Sequence, residues 1–202
     1  MRISGVLGLA GLMGTLLLTG CSSMMQPVEN QTVQPSAQDG AQVVFMRSAF
    51  TAKAIDASLY DVTGGETRFI GIMANGTKVA YPTTPGHRTF MVVSEAADFL
   101  EADLAPGKTY YSLVTPRMGM WKARFSMWPV ARDPKAEYSS QSSDFKDWIA
   151  DTKLVTNSTK SLNWFESNKN SVEAKRAEYW PEWQKKSAAD LQLRTLHAAD
   201  GL

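Results

Sequence analysis

Few side chains in this sequence have the type and spacing that chemistry requires. The two histidines, His87 and His197, lie far apart and neither stands near a Gly-x-Ser-x-Gly elbow, so nucleophilic catalysis has no local base to draw on. No cluster of thiols and imidazoles has the spacing of a zinc site. Met118 and Met120 flank Gly119 in a Met-x-Met arrangement whose thioethers suit Cu(I), whereas Met46, Met73, Met91 and Met127 fall in strand patterns and read as core filling. Glu101 and Asp103 share one strand face about 7 Å apart, a pairing that glycoside hydrolysis can use but that more simply keeps a wet face soluble. Gly107-Lys108-Thr109 lacks the upstream glycine and the following helix of a phosphate loop, because Tyr110-Tyr111 continue as strand. The expectation is a non-catalytic protein with no metal and no cofactor.

The remaining reactive side chain is the single cysteine, Cys21. It follows a basic start at Arg2 and an apolar run from Val6 to Leu18, which is the pattern of a secretory signal and too short for a membrane span. Leu18-Thr19-Gly20-Cys21 resembles the bacterial lipobox. There the cysteine sulfur takes a diacylglycerol, the signal is cleaved before it, and the freed amine is acylated. Several chains on one residue anchor firmly, since each buried methylene contributes about 0.8 kcal/mol and one chain alone is marginal. Ser22 and Ser23 follow where an Asp would favour inner-membrane retention, so the resemblance implies an outer-membrane lipoprotein facing the periplasm. With no second cysteine, the fold has no internal disulfide and relies on its core.

The elements that would carry any site follow from composition. Residues 22 to 40 are rich in Gln, Ser, Pro and Asn and read as a flexible tether, about 60 Å long if fully extended. From 41 to 130, β-rich runs alternate with turn signals, predicting strands at 41 to 47, 57 to 62, 67 to 73, 77 to 81, 87 to 93, 99 to 104, 108 to 115 and 122 to 129. Asn75-Gly76, Gly64-Gly65, Pro85-Gly86 and Pro106-Gly107 supply the reversals, and the Asn-Gly and Pro-Gly turns are expected to place their strands antiparallel. Val43-Val44-Phe45-Met46 and Phe90-Met91-Val92-Val93 are apolar on both faces, so they belong between two sheets or beneath the tail. From 131 onward a polar linker leads to helices, the first capped by Asp144 and running to about Leu154, the second beginning at Ser158 or Thr159. Trp164, Val172, Tyr179 and Trp183 form one helical stripe, and Pro181 is expected to bend the helix or start another. The fold class is thus mainly β: a small antiparallel sandwich of seven or eight strands with a helical C-terminal segment packed on it.

Three stretches also carry a family resemblance: Val43-Val44-Phe45-Met46-Arg47, Pro85-Gly86-His87-Arg88-Thr89-Phe90 and Leu104-Ala105-Pro106-Gly107-Lys108-Thr109-Tyr110-Tyr111. In this order behind a lipobox they resemble the bacterial lipoprotein family known as domain of unknown function 2846. Their Pro-Gly turns followed by strands also resemble the carbohydrate-associated PEGA domains, which implies a β-sandwich. Neither resemblance implies a catalytic residue or a ligand.

What is left for function is surface. Lys plus Arg number 21 against 20 Asp plus Glu, a neutral balance that argues against nucleic acid as a partner. Met118-Gly119-Met120-Trp121 reads as an apolar hairpin tip, and Trp180 lies about 100° around its helix from Tyr179, off the stripe. Met118, Met120, Trp121 and Trp180 are therefore the expected contacts for an envelope protein. A glycan or peptidoglycan platform of aromatics beside carboxylates is the alternative, and an enzyme of unknown class comes third.

Overall fold

A computed structural model describes residues 23–117 and 124–202. The readings on the signal, on Cys21 and on Met118, Met120 and Trp121 lie outside the described residues. Along the described chain the strands are β1 (Met25–Pro27), β2 (Ala41–Arg47), β3 (Ala57–Asp61), β4 (Arg68–Met73), β5 (Thr77–Thr83), β6 (Gly86–Val93), β7 (Ala97–Leu104), β8 (Lys108–Arg117) and β9 (Arg124–Pro129). There follow helix α1 (Ser143–Asp151), β10 (Lys153–Asn157), α2 (Thr159–Gln184), α3 (Ala188–Gln192) and β11 (Thr195–Leu196). The fold is mainly β, as expected, with eleven strands among the described residues in place of seven or eight.

Six strands form one sheet in the order β1-β10-β5-β2-β8-β9, and five form the other in the order β11-β7-β6-β3-β4. Most pairings are antiparallel, as expected of the sandwich, and three are parallel: β2 with β8, β10 with β5, and β11 with β7. Gly76 and Gly107 adopt the positive φ that their turns require, at 73° and 71°. Yet the strands they join lie in different sheets, so these turns carry the chain across the sandwich and do not close hairpins. Turn chemistry fixes a local reversal; the partner of the next strand is decided by which apolar face it must bury.

The two doubly apolar runs explain the layering. In β2, Val43 and Phe45 enter the core between the sheets, while Val44 and Met46 face the opposite way into a cluster with Leu113, Phe145 and Trp148. In β6, Phe90 and Val92 point inward and Met91 and Val93 meet Phe165, Val172 and Trp183 of α2. Both faces of each central strand are dry, each large buried side chain contributing about 1.5–3 kcal/mol. The order of layers is α1, six-stranded sheet, five-stranded sheet, α2.

The tail is part of the sandwich. Ser142, not Asp144, caps α1 by accepting from the Phe145 amide at 3.2 Å, and the helix ends at Asp151 because Lys153–Asn157 is needed as a strand beside β5. Ser158 caps α2 in a reciprocal box with Ser161, and the helix continues through Pro181 with no second helix beginning there. Arg194 leads into β11, which extends the five-stranded sheet beside β7.

The tether is corrected most. Met25 is buried, its sulfur accepting from the Ile72 amide at 3.3 Å, and β1 pairs antiparallel with β10. Gln31 bonds both backbone groups of Leu154, and Gln42 donates to the Gln34 carbonyl at 2.9 Å. A polar sequence can be ordered when side-chain amides replace the ladder, a signal that low hydrophobicity conceals. The chain is therefore seated on the body from Met24 onward.

Gly201 shows how closely the last residues dock. Leu202 and Thr109 exchange both backbone hydrogen bonds, at 2.9 and 3.1 Å. A Cβ on Gly201 would stand 2.7 Å from the Lys108 Cβ and 2.8 Å from the ring of fully buried Tyr110. Its backbone φ is an ordinary −67°, so space is the constraint. Gly201→Ala is expected to cost about 1–3 kcal/mol in urea denaturation. An unchanged midpoint would show that this docking is not part of the cooperative unit.

Candidate functional site

The hairpin of β6 and β7 pairs His87 with Asp103 and Thr89 with Glu101, which places four polar side chains on one face. His87 lies between the carboxylates, with Nδ1 at 2.9 Å from Asp103 and Nε2 at 3.2 Å from Glu101. Thr89 donates its hydroxyl to Glu101 at 2.7 Å, and the Trp183 indole donates to the other Glu101 oxygen at 2.9 Å. The shared face of Glu101 and Asp103 is thus as the alternation predicts, and His87 between them is the addition. Its signal was present in the matched spacing of residues 87 and 89 against 101 and 103. The arrangement is a hydrogen-bonded network in which the Thr89 hydroxyl is bonded to a carboxylate and not to the imidazole, so the nucleophile-to-base contact of covalent catalysis is not made here. No three His, Cys, Asp or Glu side chains among the described residues are grouped to hold a metal ion.

At the opposite edge of this face, the neck of the β8–β9 hairpin opens a cleft of about 230 Å³. Phe99, Tyr179 and Trp183 form its apolar floor, and Arg117, Arg124 and Lys186 stand around it. Beneath them Arg194 donates to Asp98 at 2.7 Å and to the carbonyls of Met127 and Phe99 at 3.0 and 3.1 Å. Its guanidinium also lies 4.5 Å from the Trp128 ring and 5.4 Å from that of Trp183. Asp98 is shared with Arg117 at 3.4 Å and is engaged by these two cations, and Glu182, the other acid on the lining, pairs with Lys185 at 2.7 Å, so the cations Arg117, Arg124 and Lys186 outnumber the acids on the rim. Arg117 and Arg124 are direct register partners. Like charges facing each other across strands are unfavourable, so an acidic group at this neck would relieve a built-in repulsion. The tip that follows, with Met118, Met120 and Trp121, lies outside the described residues.

Trp180 does not stand clear of the fold as expected. Its ring is half-buried and meets Phe99 edge to face at 5.0 Å, because the five-stranded sheet is wide enough to cover residues on both flanks of the α2 stripe. Phe165, on the same helix, stacks on Phe69 at 4.9 Å and 4°. Trp180→Ala is therefore expected to lower stability by about 1–3 kcal/mol in thermal or chemical denaturation, where an exposed anchor would leave it unchanged.

A second opening, about 440 Å³, lies between α2 and the ends of β3 and β4, lined by Met24, Ile55, Ile72, Trp164, Val172 and Lys175 among others. It has the size of a small-molecule cleft, and its apolar wall is interrupted by polar side chains, Asp56, Asn168 and Lys175 among them.

Taken together, the fold and these sites define a mixed two-sheet β-sandwich, covered by helices on both outer faces, with a basic-rimmed apolar cleft at a hairpin neck. No family model, curated protein or solved structure matches this chain.

Proposed function

We propose that this protein is a non-catalytic envelope lipoprotein, anchored through acylated Cys21 in the outer membrane and facing the periplasm, whose sandwich recognises another envelope protein at the β8–β9 hairpin. The membership of the family of domain of unknown function 2846 belongs to the same proposal and rests on the three stretches quoted above. The observation that carries the recognition surface is the cleft at the hairpin neck: an apolar floor of Phe99 and Tyr179, with Arg117, Arg124 and Lys186 around it and Glu182 the one exposed acid among them. Apolar area inside a ring of charge is how protein interfaces are commonly built, and the facing arginines select an acidic rim on the partner. None of the five tryptophans among the described residues is exposed. That favours a protein partner over a glycan, which needs open aromatic platforms.

Crosslinking in intact cells, followed by recovery of what co-purifies, tests this reading. Trp121→Ala and the charge reversal Arg124→Glu are each expected to leave thermal stability nearly unchanged and to weaken recovery by about 2 kcal/mol, roughly thirtyfold. Unchanged recovery in both would remove the hairpin as the recognition surface. Retention on purified peptidoglycan sacculi, lost in the same variants, would put the glycan reading in its place.

A further inference from the structure

Five large apolar side chains stand exposed among the described residues, among them Phe50 and Ile55 on the loop after β2 and Leu162 in the first turn of α2. Ile55 and Met24 line the same cavity. The Met24 carbonyl accepts from the hydroxyl of Ser158, the cap of α2, at 2.6 Å. Leu162 lies one helical turn past that contact, about 6 Å along the axis.

The loop that carries Phe50 and Ile55 is held in place. Fully buried Arg47 donates to the carbonyls of Ala52, Ile55 and Met73 at 2.6, 2.7 and 2.8 Å. Asn75 accepts from the Ala49 amide at 2.9 Å, and Ala52 is fixed at a φ of 52°, a conformation that a side chain disfavours. A buried cation and a strained residue thus hold a loop whose Phe50 ring is 98% exposed. Nothing in the fold is gained by fixing a ring that touches nothing.

We propose that the face bearing Phe50, Ile55 and Leu162 lies on the bilayer that holds the acyl chains of Cys21, with these three side chains entering the interfacial layer. This rests on the lipoprotein reading. Two residues, Ser22 and Ser23, separate Cys21 from Met24, and the three steps between them reach at most about 11 Å, roughly the distance between two packed sheets. The body therefore stays at the headgroups, and the face around Met24 is the one that meets them. Aromatic and aliphatic side chains are favourable at that depth, and Lys53, exposed in the same loop, suits anionic headgroups.

The test uses the full acylated chain in vesicles of phosphatidylethanolamine and phosphatidylglycerol. Thioether formation consumes the Cys21 sulfur, so Phe50→Cys, Leu162→Cys and a distant control, Lys135→Cys, each provide one thiol for an environment-sensitive fluorophore. Lys135 is exposed and follows β9, at the far edge of the sheet from β1. Labels at 50 and 162 are expected to be quenched by spin-labelled acyl chains and to be shielded from iodide at least about threefold relative to 135. Equal iodide access at all three positions, with acylation verified by the mass of the N-terminal peptide, would overturn the proposal and leave the anchor standing. Shielding without quenching by the acyl chains would mean contact between copies and would equally overturn it. A Cys21 that carries no lipid would remove the anchor reading itself, and this proposal with it.

Discussion

Replacing Asp98 by alanine is expected to destabilise the fold by about 3–5 kcal/mol, because it strips the counter-charge from a buried guanidinium. The side chains of Arg194 and Asp98 are 7% and 6% exposed, which separates this pair from the surface ion pairs Arg68–Glu66 and Lys185–Glu182. Arg194 is also where the C-terminal segment enters the sheet. Its carbonyl accepts from the Glu101 amide at 3.0 Å, and β11 pairs with β7 immediately after it. The variant should therefore shift the urea midpoint and release residues 194–202 from hydrogen-exchange protection together. A double variant, Asp98→Ala with Arg194→Met, should recover part of the loss, since an apolar chain between Trp128 and Trp183 needs no counter-ion. A loss below about 1 kcal/mol in the single variant, as for an exposed pair, would show that water reaches Arg194.

This pair also marks where sequence reading ends. The eight strands between 41 and 130 were legible because each is a run of β-branched or aromatic residues between Gly, Pro or Asn signals, a local property. The doubly apolar runs at Val43 and Phe90 were legible as two-sided burial, which required a layer on each outer face. What was not legible is long-range. The sequence around Asn75-Gly76 specifies a reversal equally well for a hairpin and for a crossover between sheets. Lys153–Asn157 is five residues with only Leu154 and Val155 apolar, and its strand identity comes from β5 and β1 on either side. Met25 sits in a polar stretch and is buried because Gly71 leaves room for its terminal methyl, a complementarity between residues far apart in the chain.

The candidate sites divide in the same way. Glu101 and Asp103 were readable as one face from strand period alone, but His87 joins them only once β6 and β7 are in register. Trp180 looked free because a helical stripe was drawn from four residues, while a sheet accepts a face wider than a stripe. Arg194 gave no signal at all: one basic residue near a chain end is ordinarily solvated, and only the fold buries it between two indoles.

Arg47→Met is expected to be comparably costly, about 3–5 kcal/mol, by a different route. The guanidinium is fully buried over the Phe125 ring at 4.5 Å, and its donors serve three carbonyls from two segments of chain. Burial pushes its pKa down from the ordinary arginine value while Asp56 pulls the other way, yet arginine stays charged at any working pH. Removing it takes away the charge and also leaves the carbonyls of Ala52, Ile55 and Met73 without their donor. Lysine has the charge but not the planar fork, so Arg47→Lys should recover only part of the stability. The loop gives a second readout that a general loss of stability does not predict. Lys53 lies between two of the clamped carbonyls and is exposed, so trypsin should cut after it faster in Arg47→Met than in Asp98→Ala at matched global stability. If the two variants were cut at the same rate, Arg47 would be contributing to the core as a whole rather than holding the segment that presents Phe50.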